Sequence, residues 1–131
     1  MHLDKKNDWA LLLLRLAFGG FMIIGHGWPK LLRLLGDEPI KFMDFMGLGP
    51  TVSLALATFA ELGCALLIMV GLYTRLALLP LIFTMLVAII GRHWSDPFGQ
   101  IEKALMYLFA YLGILLTGPG WYSLDAQWRK V

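Results

Sequence analysis

Four long apolar stretches dominate this chain of 131 residues and limit what it can fold into. They cover roughly residues 9–27, 51–72, 76–91 and 104–118. A helix of about 20 apolar residues, rising about 1.5 Å per residue, crosses the ~30 Å hydrocarbon core of a bilayer. All five tryptophans lie at or just beyond the ends of these stretches, where an indole keeps its N–H hydrated. We therefore expect an integral membrane protein and not a soluble helical domain.

The composition supports a single membrane domain. Hydrophobic residues make up 59% of the chain and charged residues 15%, against about 25% charged in soluble domains. A net charge of +2 is too small to indicate nucleic-acid binding. With flanking residues included, spans are predicted at about 9–27, 51–72, 76–93 and 102–118. The predicted fold is all-α: one four-helix transmembrane bundle over residues 1–131.

The segment between the first two spans, residues 30–47, differs from both a span and a plain loop. Leucine, phenylalanine and methionine alternate there with charged residues, and Gly36 and Pro39 interrupt any long helix. Short amphipathic helices lying at the membrane interface are predicted, because Pro29 argues against simple continuation of the first helix. Such a segment could be a structural cover or a lid for a ligand. Further along the chain, Gly71 is a predicted C-cap and Thr74 a predicted N-cap.

Glu61 is the residue that most needs explanation, because it lies near the middle of the second predicted span. An unpaired carboxylate at that depth is costly, so we expect Glu61 to face the bundle interior and to have a polar partner. Arg15 lies about two turns into the first span and is one candidate partner. His26 follows Arg15 on the same helical face.

Antiparallel packing of four helices would bring several polar residues to one membrane face. The candidate ligand-binding residues are Arg15, His26, Lys30, Glu61, His93 and Tyr107. Aromatic rings beside histidines and a carboxylate suit a flat, polar-ended ligand such as a quinone. The alternative is that these groups only satisfy one another and fix how the helices pair.

Other chemistries find little support in the sequence. Cys64 is the only cysteine, which excludes an intramolecular disulfide and a CxxC redox pair. His26 and His93 do not have ligand spacing within one helix, so neither a haem nor a metal site is predicted. No catalytic residue is assigned. Basic residues are balanced between the two faces, so charge does not set the orientation.

Several segments together resemble the DoxX family of small membrane proteins. They are His26-Gly27-Trp28-Pro29-Lys30-Leu31, Glu61-Leu62-Gly63, Gly71-Leu72-Tyr73-Thr74-Arg75, His93 and Gly118-Pro119-Gly120 with Ser123-Leu124-Asp125. The resemblance implies four transmembrane helices in a bacterial-type inner membrane. It also implies a link to oxidoreductase systems, with a membrane or peripheral partner. The same pattern brings Asp125 to the 72–75 turn, where we expect an ion pair with Arg75. The alternative is that Arg75 only contacts lipid phosphate.

Three functions remain open on this reading. The chain could be a membrane subunit or accessory of an oxidoreductase system with a quinone-like ligand. It could instead be a small-solute or proton pathway, or a scaffold without chemistry of its own. The sequence does not decide the ligand, the partner, or whether the chain forms a homo-oligomer.

Overall fold

The fold is helical in all its regular parts. The structure is a computed structural model that describes residues 5–92 and 97–128. The helices are α1 (Lys5–Leu35), α2 (Pro50–Val70), α3 (Thr74–Val87, continued by a π-helical turn at Ala88–Arg92), α4 (Phe98–Thr117) and α5 (Leu124–Trp128). The described residues contain no strand.

Three of these helices, α1, α2 and α3, are long and apolar enough to cross a membrane. The predicted spans at 9–27, 51–72 and 76–93 correspond to them, although the end of the third falls partly outside the described residues. The predicted span at 102–118 coincides largely with α4, a helix of 20 residues. The membrane character of the fold is thus supported, while four crossings remain a prediction.

The first helix is longer than predicted, because the chain passes Pro29 without breaking. A π-helical turn at Ile23–Gly27 precedes the proline, and the backbone N–H of Trp28 donates to the carbonyl of Ile23, five residues earlier. The wider turn relieves the clash between a proline ring and the preceding carbonyls. Residues 30–35 are therefore amphipathic, as expected, but they end α1 and do not form a separate interfacial helix.

Residues 36–49 form an irregular segment, which we call the covering loop. The expected short helices do not form there: helix α1 ends at Leu35, and the loop contains no helix. The guanidinium of Arg33 donates to the carbonyl of Lys41 at 2.5 Å, and Asp44 accepts from the backbone N–H of Gly49 at 2.8 Å. The loop is thus folded back by one polar side chain from the end of α1 and one of its own.

The core lies where the four long helices meet. It is built from aliphatic and small side chains, such as Leu54, Ala65 and Leu78, each with no exposed surface. Gly19 of α1 lies against α2 so closely that a Cβ there would be 2.5 Å from the side chain of Met69. Small residues at such crossings let membrane helices approach closely. Large apolar side chains remain exposed on the outer faces, as expected of a surface in contact with lipid.

The C-terminal tail, residues 118–128, folds back across the turn between α2 and α3. Gly71 adopts the predicted left-handed C-cap conformation, with φ of 74°. The predicted side-chain cap at Thr74 is replaced by one from the tail. The carboxylate of Asp125 accepts from the backbone N–H groups of Tyr73 at 2.8 Å and Thr74 at 2.9 Å. A carboxylate at this position satisfies donors at the start of α3 and opposes the helix dipole.

The expected ion pair between Arg75 and Asp125 is not present among the described residues. The Nε of Arg75 donates instead to the carbonyl of Leu115 near the end of α4, at 3.3 Å. The tail therefore does cross the 72–75 turn, as expected, but its carboxylate binds backbone N–H groups and not the arginine.

We predict that Asp125→Ala lowers the free energy of unfolding in detergent by about 1–2 kcal/mol, the usual cost of losing a helix cap. Asp125→Asn should lose less, because the amide oxygen still accepts a hydrogen bond. In a double-mutant cycle with Arg75→Ala the losses should add to within about 0.5 kcal/mol. A coupling energy of about 1 kcal/mol or more between the two variants would instead indicate a direct ion pair and contradict this arrangement.

Candidate functional site

Glu61 of α2 and Lys30 of α1 form a largely buried ion pair. The Nζ of Lys30 lies 2.7 Å from Oε2 of Glu61, and the two side chains are 16% and 6% exposed. The expectation that Glu61 faces the interior with a polar partner is confirmed, with Lys30 as that partner. Since charges in the hydrocarbon region are costly, pairing is the condition under which both can remain there.

The ion pair forms where two π-helical turns cross. One turn is Ile23–Gly27 of α1, and the other is Phe59–Cys64 of α2. A Cβ on Gly27 would lie 2.5 Å from the carbonyl oxygen of Glu61, so only glycine fits at this contact. Single π-helical turns are common at functional sites, because they redirect the side chains that follow. Here they place Lys30 over Glu61.

A group of aromatic rings adjoins the ion pair. The rings of His26 and Tyr107 meet edge to face, with centroids 5.8 Å apart, and Phe18 meets Tyr107 at the same distance. Tyr111 is fully buried, and its hydroxyl donates to the carbonyl of Phe18 at 3.0 Å. The two tyrosines therefore have different roles: Tyr111 joins α4 to α1, whereas Tyr107 faces the space beside His26.

That space is a cavity of about 560 Å³. Four predicted site residues line it: His26, Lys30, Glu61 and Tyr107. We call these four the polar cluster. The remaining lining is mostly apolar and includes Phe42, Met43 and Phe45 from the covering loop. A mainly apolar cavity with a few polar groups at one end is the usual form of a small-molecule site.

Arg15 lies elsewhere, at the end of the bundle where the C-terminal tail folds. Its side chain has no exposed surface and donates to the carbonyls of Ile68 at 3.4 Å, Met69 at 3.3 Å and Tyr122. These carbonyls include the last ones of α2, which lack partners within the helix. Arg15 therefore joins α1, α2 and the tail, and the structure does not bring it to Glu61.

Two further residues complete the comparison with the sequence predictions. His93 falls outside the described residues, so its predicted role is not addressed. Lys103, which was not among the predicted ligand-binding residues, lines the cavity. Its spacing of four from Tyr107 along α4 was the available signal. No periodic signal marks the aromatic residues of the covering loop, because an irregular segment has no repeating face.

The polar cluster offers several kinds of interaction to a ligand. Lys30 has three N–H donors, and Glu61 occupies one of them. The imidazole of His26 can donate or accept a hydrogen bond, and Tyr107 presents a ring face and a hydroxyl. The site can therefore bind acceptor oxygens at its polar end and an apolar body along its walls.

We predict that Lys30→Met lowers the free energy of unfolding by about 3 kcal/mol, because it leaves the carboxylate of Glu61 buried without its partner. The double variant Lys30→Met with Glu61→Leu should recover most of that loss. Unfolding in mixed detergent micelles would measure both. Lys103→Met is the matched control, since Lys103 lines the same cavity but is exposed. Equal losses for Lys30→Met and Lys103→Met would contradict a specific role for the ion pair.

Comparison with known proteins agrees with a membrane protein. The chain is 34% identical to inner membrane protein YphA of Escherichia coli K12 over 127 residues, which is 89% of each protein. It is 30% identical to inner membrane protein YqjF of the same organism over 135 residues, 98% of each. No solved structure matches the chain. The sequence model of the DoxX family matches residues 10–94, and the chain therefore belongs to the DoxX family.

Proposed function

We propose that this protein is an inner-membrane accessory or subunit of an oxidoreductase system and that its cavity binds a lipophilic, quinone-like molecule. One observation carries the proposal: the polar cluster and Lys103 line a cavity whose remaining walls are mostly apolar. A quinone has the matching form, with carbonyl oxygens on a flat ring and an apolar substituent. The link to an oxidoreductase rests on the family resemblance, and the location on the names of the two relatives.

The alternative of a proton or solute pathway is less well supported. A pathway needs polar groups or water along its length. Between the polar cluster and Arg15, α2 carries Cys64, Ala65 and Ile68, which are at most 2% exposed and belong to the apolar core. The two polar regions of the bundle are therefore separated by packed apolar side chains, which favours a binding site over a continuous pathway.

The proposed membrane arrangement has four crossings, with α4 as the fourth. Its 20 residues at about 1.5 Å each are long enough for a ~30 Å core. Its two charged residues, Glu102 and Lys103, lie near its first end, and the following residues to 117 carry no charge. The C-terminal tail would then lie on the same membrane face as the N-terminus.

We predict that cysteines placed at Lys5 and Gln127 react with an impermeant thiol reagent from the same side of sealed membranes. An even number of crossings puts both ends of the chain on one face. The background should carry Cys64→Ser, although native Cys64 is only 2% exposed. Labelling from opposite sides would mean that one of the four long helices does not cross.

The ligand-binding proposal predicts that a quinone co-purifies with the gently extracted protein and is detectable by mass spectrometry. Ala57→Phe should reduce the amount at least about tenfold, because a phenyl ring would occupy the cavity that Ala57 lines. Ala55→Phe is the matched control: Ala55 is on the same helix and is also half-buried, but it does not line the cavity. Equal retention by both variants, or no quinone on the wild type, would contradict the proposal.

A further inference from the structure

The cavity has a rim on the outer face of the helical bundle. Its inner wall includes the buried residues Glu61 and Tyr107. Its outer part is lined by Leu56 and Phe59 of α2 and Phe83 of α3, which are 50%, 61% and 55% exposed. Side chains that line a cavity and are also exposed on the outside of a membrane bundle mark an opening. We call these three residues the rim.

Helices α2 and α3 separate toward the rim. The second half of α2, residues 59–70, packs on α3, next to the short turn at Gly71 that joins the two helices. The first half, Pro50–Thr58, packs mainly against the end of α1, Trp28–Leu35. The gap between α2 and α3 therefore widens with distance from the turn, and the cavity occupies it.

The opening lies at the depth of the hydrocarbon core. Glu61 and Phe83 are each eleven residues from Leu72 in the connecting turn, on either side of it. Eleven residues rise about 16 Å, roughly half the ~30 Å thickness of the core.

The backbone of α3 near the rim leaves no polar group of Pro80 without a partner. Pro80 lacks an N–H, and the hydroxyl of Thr84 donates to its carbonyl at 2.7 Å. Polar groups near the rim are thus satisfied within α3, as contact with lipid requires.

The covering loop closes the space above the rim. The ring of Phe45 meets that of Phe83 edge to face, with centroids 5.7 Å apart. The backbone N–H of Phe45 donates to Oγ of Ser53 at 2.9 Å, and that hydroxyl donates to the carbonyl of Gly49 at 2.7 Å. The loop is thereby bound to α2 and α3 beside the rim, whose three side chains nevertheless remain at least half exposed.

We infer that the cavity receives its ligand sideways from the bilayer, between α2 and α3, and that the ligand is an amphiphile whose hydrocarbon chain leaves past the rim. This inference rests on the proposed function and adds two things to it: the route by which the ligand enters and the hydrocarbon chain that the ligand carries. The head must carry an acceptor oxygen, such as a carbonyl, phenolate or carboxylate. Lys30 and Lys103 are the cations that line the cavity, and Glu61 pairs with only one of them among the described residues.

The test compares a benzoquinone bearing a decyl chain with the same ring bearing a methyl group. Both are measured by equilibrium binding to the full chain in lipid nanodiscs, with empty nanodiscs subtracted. Leu56→Trp should weaken binding of the decyl compound about tenfold, because the indole fills the rim, and leave the methyl compound unchanged within about twofold. Leu66→Trp is the matched control, since Leu66 is also a leucine of α2 with 50% exposure but lies away from the cavity.

Two checks keep the result decisive. Leu56→Ala, which opens the rim, should bind the decyl compound at least as well as the wild type, and this separates blockage from misfolding. A diazirine at the end of the decyl chain should label peptides of α2 and α3 that contain the rim. An unchanged decyl affinity in Leu56→Trp, equal weakening of both compounds, or labelling confined to the covering loop would overturn the inference.

A third compound, decanoate, distinguishes a site for a quinone from a site for another amphiphile with an acceptor oxygen. If decanoate binds with the same dependence on Leu56 and neither ring compound binds, the lateral opening stands and the quinone assignment fails. If both ring compounds bind and neither responds to Leu56→Trp, the proposed function stands and the lateral route fails. If none of the three compounds binds the wild type, both fail together.

Discussion

The ion pair between Lys30 and Glu61 is the interaction on which the arrangement of the site depends. It requires α1 to continue past Pro29, which the π-helical turn at Ile23–Gly27 permits. It also requires the backbones of α1 and α2 to meet closely, which the missing side chain of Gly27 permits. A carboxylate at this depth without a cation would be too costly to keep. The course of both helices is therefore coupled to one buried contact.

The two ends of the bundle have different physical characters. At the end with the C-terminal tail, Arg15 and Asp125 bind backbone groups that helices leave unsatisfied at their termini. These contacts join α1, α2, α3 and the tail, and they leave little room for a ligand. At the opposite end, the helices diverge and the charged groups meet each other beside a cavity. The backbone contacts that join the helices and the cavity thus lie in separate parts of the same helices.

The sequence predicted those parts of the site that follow from periodicity and from the cost of buried charge. Glu61 had to face inward, and helix spacing brought His26 and Tyr107 near it. The role of Arg15 could not be predicted, because its partners are backbone carbonyls, which every residue carries. The π-helical turns have no sequence signature strong enough to predict, so Pro29 suggested a break where the helix continues. The covering loop owes its shape to single hydrogen bonds, such as that from Phe45 to Ser53, that no repeating pattern encodes.

The position of the ion pair argues for more than a structural role. Replacing a buried ion pair by apolar side chains of similar volume is often neutral or stabilising, so such a pair is weak evidence of a need for stability. Gly27 already sets the approach of α1 to α2, and the tail already joins α2 to α3. The pair also lies on a cavity wall, where Lys30 keeps donors beyond the one directed at Glu61. A ligand oxygen that accepts from those donors would satisfy the lysine fully, and apolar residues at the two positions could not do so.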